Sequence, residues 1–139
     1  MSSPEPSTAD ILAIRKQLNR FSCVQTAPAL SAEERTDIRQ RLLLFNQLSD
    51  YQTLGVCADT LAQGKAAMEQ YIAALGACVN LDLPHQDGPV YLKFNTLKGA
   101  WYLDGYSGPS RGVLVSYHAS DAEEVNGTYG PFPLDLFAV

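Results

Sequence analysis

"PVYLKFNT", residues 89 to 96, decides the fold. Val90, Leu92 and Phe94 alternate with Tyr91, Lys93 and Asn95, and a period of two puts apolar groups on one side of a pleated strand and polar groups on the other. "LKG" (97–99) turns the chain and "AWYLD" (100–104) returns it. "RGVLVSYH" (111–118) alternates again, with Val113, Val115 and Tyr117 on one side. Short connections join successive strands as antiparallel neighbours, because a parallel pair needs a crossover of about a dozen residues. The spacing therefore predicts an antiparallel meander over residues 90–118, with 104–112 as a long hairpin loop.

Upstream the period changes. Ser7 and Asp10 form an acidic variant of the capping box, followed by Ile11, Ile14, Leu18 and Phe21 at helical spacing, with Arg15, Lys16, Asn19 and Arg20 between them. Ser31 and Glu34 make a full capping box ahead of Ile38, Leu42, Phe45 and Leu48, a stripe that Leu43 and Leu44 widen. "YQTLGVCAD" (51–59) reads as a short strand. Asp59 or Thr60 then caps a third helix carrying Leu61, Met68, Ile72 and Leu75, with Gly76 where a left-handed end residue is wanted. In "NGTYGPFPLDLF" (126–137) two prolines bar a central strand. That tail is expected to lie along the surface and bury Phe132, Leu134 and Phe137.

Helices ahead of strands indicate an α+β fold. The expected architecture is N-terminal helices on one face of a mainly antiparallel sheet of about four strands, in the order α-α-β-α-β-β-β. Residues 1–139 read as one domain, with 1–6 a loose tail.

The 139 residues are 46% hydrophobic and 18% charged, enough to bury a core, and the net charge is −5. An acidic surface repels phosphate backbones, so no nucleic-acid partner is expected. The first ten residues lack the basic and apolar regions of a secretory signal, and no apolar run approaches the roughly 18 residues a bilayer requires. A soluble cytoplasmic protein without membrane contact follows as the expectation. Cys23, Cys57 and Cys78 are widely spaced and form no CxxC pair, which leaves zinc unsupported. They read as reduced, mostly buried thiols, and no metal or cofactor is expected.

"DGYSGPSRG" (104–112) has the glycines of a phosphate loop but no Lys-Ser or Lys-Thr pair, and it runs into a strand instead of a helix. It is not a nucleotide P-loop. It is nevertheless longer than a minimal hairpin, and long loops carry function. Arg111 offers a guanidinium fork and Tyr106 a flat amphipathic ring. If Val90, Leu92 and Phe94 face the helices, then Tyr91, Lys93 and Tyr102 face away with Leu114, Ser116 and His118, an aromatic face of the kind interfaces use. Asp82, His85 and Asp87 could suggest a metal site, but loop residues at irregular spacing are weak evidence for one. His118 lies near Asp121, and pairs with Cys57 or Ser116 are conceivable on paper, but no GxSxG elbow is present. "DAEEV" (121–125) is a solvated acidic run. No catalytic residues are assigned.

The segments "YLKFNTLKGAWYLDGYSGPSRGVLVS" and "GTYGPFPLDLF" resemble a small cyanobacterial family of uncharacterised proteins, domain of unknown function 1824. The resemblance implies a cyanobacterial cytosolic setting and a compact α+β fold, and it brings no family catalytic residues. The residues themselves favour a non-enzymatic module, monomer or homodimer, that binds a protein partner through Tyr91, Lys93, Tyr102, Tyr106 and Arg111. The alternative is a small anionic-metabolite-binding protein or enzyme with its site at the 104–112 loop.

Overall fold

The computed structural model describes residues 7–21, 27, 29–76, 84–85, 87–104 and 111–138. Among these, the helices are α1 (Thr8–Leu18), α2 (Ala32–Leu48) and α3 (Leu61–Ala74), and the strands are β1 (Tyr51–Ala58), β2 (Val90–Asn95), β3 (Ala100–Asp104), β4 (Gly112–His118) and β5 (Gly127–Phe132). The chain is an α+β fold, as its helix and strand periods indicate, and its sheet has five strands instead of the expected four.

The caps form as the residue types dictate. The Ser7 and Ser31 hydroxyls accept from the backbone N–H groups of Asp10 and Glu34, whose carboxylates accept in return from the Ser7 and Ser31 N–H groups. Each box satisfies two donors that a helix start leaves unpaired. The Glu34 carboxyl is held below its usual range by the backbone hydrogen bond at Ser31 and by Arg20. Thr60 caps α3, and Gly76 follows that helix with φ +77°.

The sheet order is β3-β2-β1-β4-β5, antiparallel throughout. This corrects the expected meander. β2 and β3 do form a hairpin, but β1 lies between β2 and β4, so β3 and β4 are not neighbours. Asp104, Tyr91, Cys57 and Gly112 fall on one register row across four strands. At about 4.8 Å per strand spacing, the connection after Asp104 joins points about 14 Å apart, across the ends of β2 and β1. It is a crossover and not a hairpin loop; residues 105–110 of it lie outside the described residues.

The tail forms β5 as an edge strand, where Pro131 is tolerated because one side of its backbone needs no partner. Phe132 and Phe137 are buried as expected, and Leu134 is half-buried. Gly112 carries φ +137°, and a Cβ there would run into the Phe132 carbonyl oxygen, so only glycine lets β5 approach β4 at this point.

All three described helices pack on one face of the sheet. Gly64 brings α3 down onto β2, where a Cβ would already stand 3.0 Å from Leu92 and 3.2 Å from Val90. The core also includes Ile11, Leu18, Ile38, Leu42, Leu54, Val56, Met68, Ile72, Val113 and Val115, all buried. Three tyrosines lie within it. The Tyr117 hydroxyl donates to the Leu42 carbonyl at 2.6 Å and lies 3.1 Å from the Tyr71 hydroxyl. Because Tyr117 has one proton and α2 receives it, Tyr71 donates to Tyr117. This chain joins β4 to both α2 and α3. Tyr129 packs beside Tyr117 at 6.4 Å between ring centroids.

Candidate functional site

The other sheet face carries no helix among the described residues. Register fixes what it presents, since directly paired residues in an antiparallel sheet share a face. Lys93 pairs with Tyr102 and Gly55, Gly55 with Leu114, Cys57 with Tyr91 and Gly112, and Thr53 with Asn95 and Ser116. Tyr91, Lys93 and Tyr102 therefore stand together on the outer face, as their alternation predicts. Arg111 precedes Gly112 at the same end of the sheet. Tyr106 lies outside the described residues.

The local geometry is close. The Tyr91 ring lies over Gly55: a Cβ at residue 55 would stand 2.9 Å from Tyr91 Cε1 and 3.1 Å from its hydroxyl oxygen. The Lys93 ammonium sits 5.0 Å from the centroid of the same ring, within cation–π range. The aromatic surface is thus laid flat across β1 and flanked by a positive charge. Tyr102 is 46% exposed, the one large hydrophobic on this face that is open to solvent among the described residues.

Arg111 Nε donates to Asp59 Oδ1, tying the start of β4 to the end of β1. Cys57 is buried in the row between Tyr91 and Gly112. Burial pushes its thiol up, while the charges of Arg111 and Lys93 pull the other way. Reading the sequence alone missed Gly55, Cys57 and Asp59 as members of this group. Gly55 had a signal, a glycine inside a strand pattern, which marks a close approach. Asp59 had none, because its partner is remote in sequence.

The remaining candidates lie apart. His118 ends β4 and stacks on Tyr51 at 4.5 Å between centroids with an 11° tilt, at the opposite end of β1 from Cys57. The Ser116 hydroxyl is bonded to Thr128 at 2.9 Å. His85 and Asp87 pair at 2.9 Å, both exposed, and Asp82 lies outside the described residues. Cys23 and Cys78 lie outside them as well. The tail packs on the helix side, through Phe21–Phe132 and Tyr71–Phe137 ring contacts, and so does not cover the outer face.

Fold and site define an α+β domain with helices on one face of an antiparallel sheet and an aromatic, lysine-flanked patch on the other. The chain belongs to the family described as Domain of unknown function (DUF1824), which matches residues 16–137. It is similar to an uncharacterized protein from the cyanobacterium Anabaena variabilis ATCC 29413, known from a crystal structure. The two are 47% identical over 96% of this chain and 100% of that one, with a TM-score of 0.82. No curated protein matches the chain. No helix among the described residues is long and apolar enough to cross a membrane.

Proposed function

We propose that the protein is a non-enzymatic module that docks a protein partner on the outer sheet face, at the end where Tyr91, Lys93, Tyr102 and Arg111 lie. The exposed Tyr102 ring beside the flattened Tyr91 ring carries this reading. Tyrosines, which bring a large amphipathic ring on few rotatable bonds, are among the anchors on which interfaces concentrate their energy. Lys93 and the Arg111–Asp59 pair supply the polar rim that a non-obligate interface needs. Tyr106, which lies outside the described residues, is proposed as part of the same contact because it follows β3 closely in sequence. The rival reading, an anionic metabolite held by Arg111, has less support because a carboxylate already engages that guanidinium.

The test is affinity capture from cyanobacterial lysate with three baits: wild type, Tyr102→Ala/Arg111→Ala, and Leu97→Ala, a control at an exposed residue in the β2–β3 turn. A partner held by wild type and the Leu97 variant but lost by the double variant supports the site. Purified, that partner should bind the double variant at least about thirtyfold more weakly, the equivalent of a hot-spot loss of about 2 kcal/mol. Equal capture by all three baits refutes the face. No capture by any bait, with a melting shift in phosphate or a dicarboxylate, moves the assignment to the anion reading.

A further inference from the structure

Gln52 is the one residue bearing an amide or a charge that is buried among the described residues, and it is wholly shielded, at 0% exposure. It occupies the inner face of β1, in line with Leu54, Val56 and Ala58. Its backbone is saturated: the N–H donates to Thr96 Oγ1 at 2.9 Å, and the carbonyl accepts the Thr96 N–H at 3.0 Å and hydroxyl at 3.2 Å. Its side chain is not. Neither Nε2 nor Oε1 has a hydrogen-bond partner among the described residues.

The neighbours do not supply one. Tyr117, the register partner of Gln52, already gives its proton to Leu42 and takes one from Tyr71. Leu54, Phe94 and Trp101 form the next row on the same face, with the Phe94 and Trp101 rings 4.7 Å apart. The Trp101 indole N–H is itself buried and unpaired. The inner face at this end of the sheet therefore holds an amide with two N–H donors and one carbonyl oxygen on β1, and an indole donor two strands away on β3.

Buried amides left unpaired are costly, and leucine or methionine would fill such a position more stably. Buried polar groups in folded proteins are satisfied by the chain or by internal water, which typically makes about three hydrogen bonds. Complete shielding leaves no route for a larger ligand. We infer that the inner face at the β2–β3 turn end of the sheet is an internal hydration site, where water is held by the Gln52 amide with the Trp101 N–H as a further donor. Water there gives β1 a polar anchor that the surrounding apolar side chains cannot provide.

Water-selective NOE spectroscopy on the 15N-labelled protein tests this directly. The expected result is cross-peaks from slowly exchanging water to the Gln52 side-chain NH2, assigned through its own bonds in the wild type, and to the indole N–H of Trp101, the chain's single tryptophan. Gln52→Met should fold, remove the amide cross-peaks and show no gain in Tm, because methionine loses the water's hydrogen bonds with the amide. Absence of Gln52 cross-peaks overturns the inference, whatever the variant does. A rise of several degrees in Tm for Gln52→Met also overturns it, as the mark of an amide that nothing satisfied.

Discussion

Tyr91 and Gly55 are a matched pair across neighbouring strands: the ring occupies the space that any side chain at residue 55 would take. Gly55 has ordinary extended backbone, so it is there for this contact and not for a turn. Gly55→Ala should change stability by less than about 1 kcal/mol, because the obstructing atoms are the far end of a side chain that can swing away. Gly55→Val should cost more. Urea denaturation of both checks this, and a loss above about 3 kcal/mol for alanine would mean that the ring is locked in place. Under the docking proposal, both variants weaken the partner by displacing Tyr91.

The tyrosine chain makes a second, quantitative expectation. Tyr117→Phe removes the donor to Leu42 and leaves the buried Tyr71 hydroxyl without its acceptor, a loss of about 1–3 kcal/mol. Tyr71→Phe should cost about 1 kcal/mol, and the double variant less than the sum, because the two changes share one hydrogen bond. Chemical denaturation of the three variants measures the coupling directly.

Those same groups set the alkaline limit of the fold. Burial pushes the Tyr71, Tyr117 and Tyr129 phenols above their ordinary value of 10, so the folded protein keeps protons that the unfolded chain releases. The stability tied to this protonation is fully present below pH 10. It is lost as pH rises through that value toward the folded-state values, at up to about 1.4 kcal/mol per pH unit for each group. A pH series of denaturation midpoints should begin to bend down near pH 9, where the Cys57 thiol of the unfolded chain ionises, and fall more steeply above 10 as the tyrosines do. Replacing Tyr71 with Phe should make the fall shallower.

Arg111 and Asp59 form a partly exposed pair, with 32% and 66% of their side chains accessible. Such pairs contribute about 0.2–1 kcal/mol and weaken with salt. Asp59→Asn should therefore lower stability by no more than about 1 kcal/mol, and the difference from wild type should shrink in 1 M NaCl. A larger, salt-insensitive loss would assign the carboxylate a buried structural role.

At Gly112 the backbone conformation and the space agree, so Gly112→Ala should cost more than about 2 kcal/mol. A thermal melt suffices. An alanine variant as stable as wild type would mean that β5 is free to move off β4.

Local patterns in the chain carried much of this structure. Ser7, Ser31 and Thr60 announce helix starts because their hydroxyls act within three residues. The alternation in 90–103 assigns Tyr91, Lys93 and Tyr102 to one face because strand periodicity is local. What stayed hidden depends on remote partners. Residues 51–58 read as a strand, but nothing in them says that they lie between β2 and β4. That placement turned an expected hairpin into a crossover, and it also brought Cys57, Asp59 and Arg111 together. The prolines of the tail correctly argued against a central strand, and they concealed a fifth strand at an edge, where proline is permitted.

The central position of β1 also bears on how the chain folds. The strand is made early, yet its partners arrive late: Tyr51 waits for His118, and Cys57 for Gly112. Only the β2–β3 hairpin and the β4–β5 pair can close over short loops, so they are the natural first events. Joining them needs β1 to capture both, across separations whose loop-closure entropy must be met before any packing rewards it. On this ground, docking of β1 between the two ribbons is the step expected to limit the folding rate. Substitutions at Leu54 or Val56 should slow refolding, whereas those in β5 should mainly hasten unfolding.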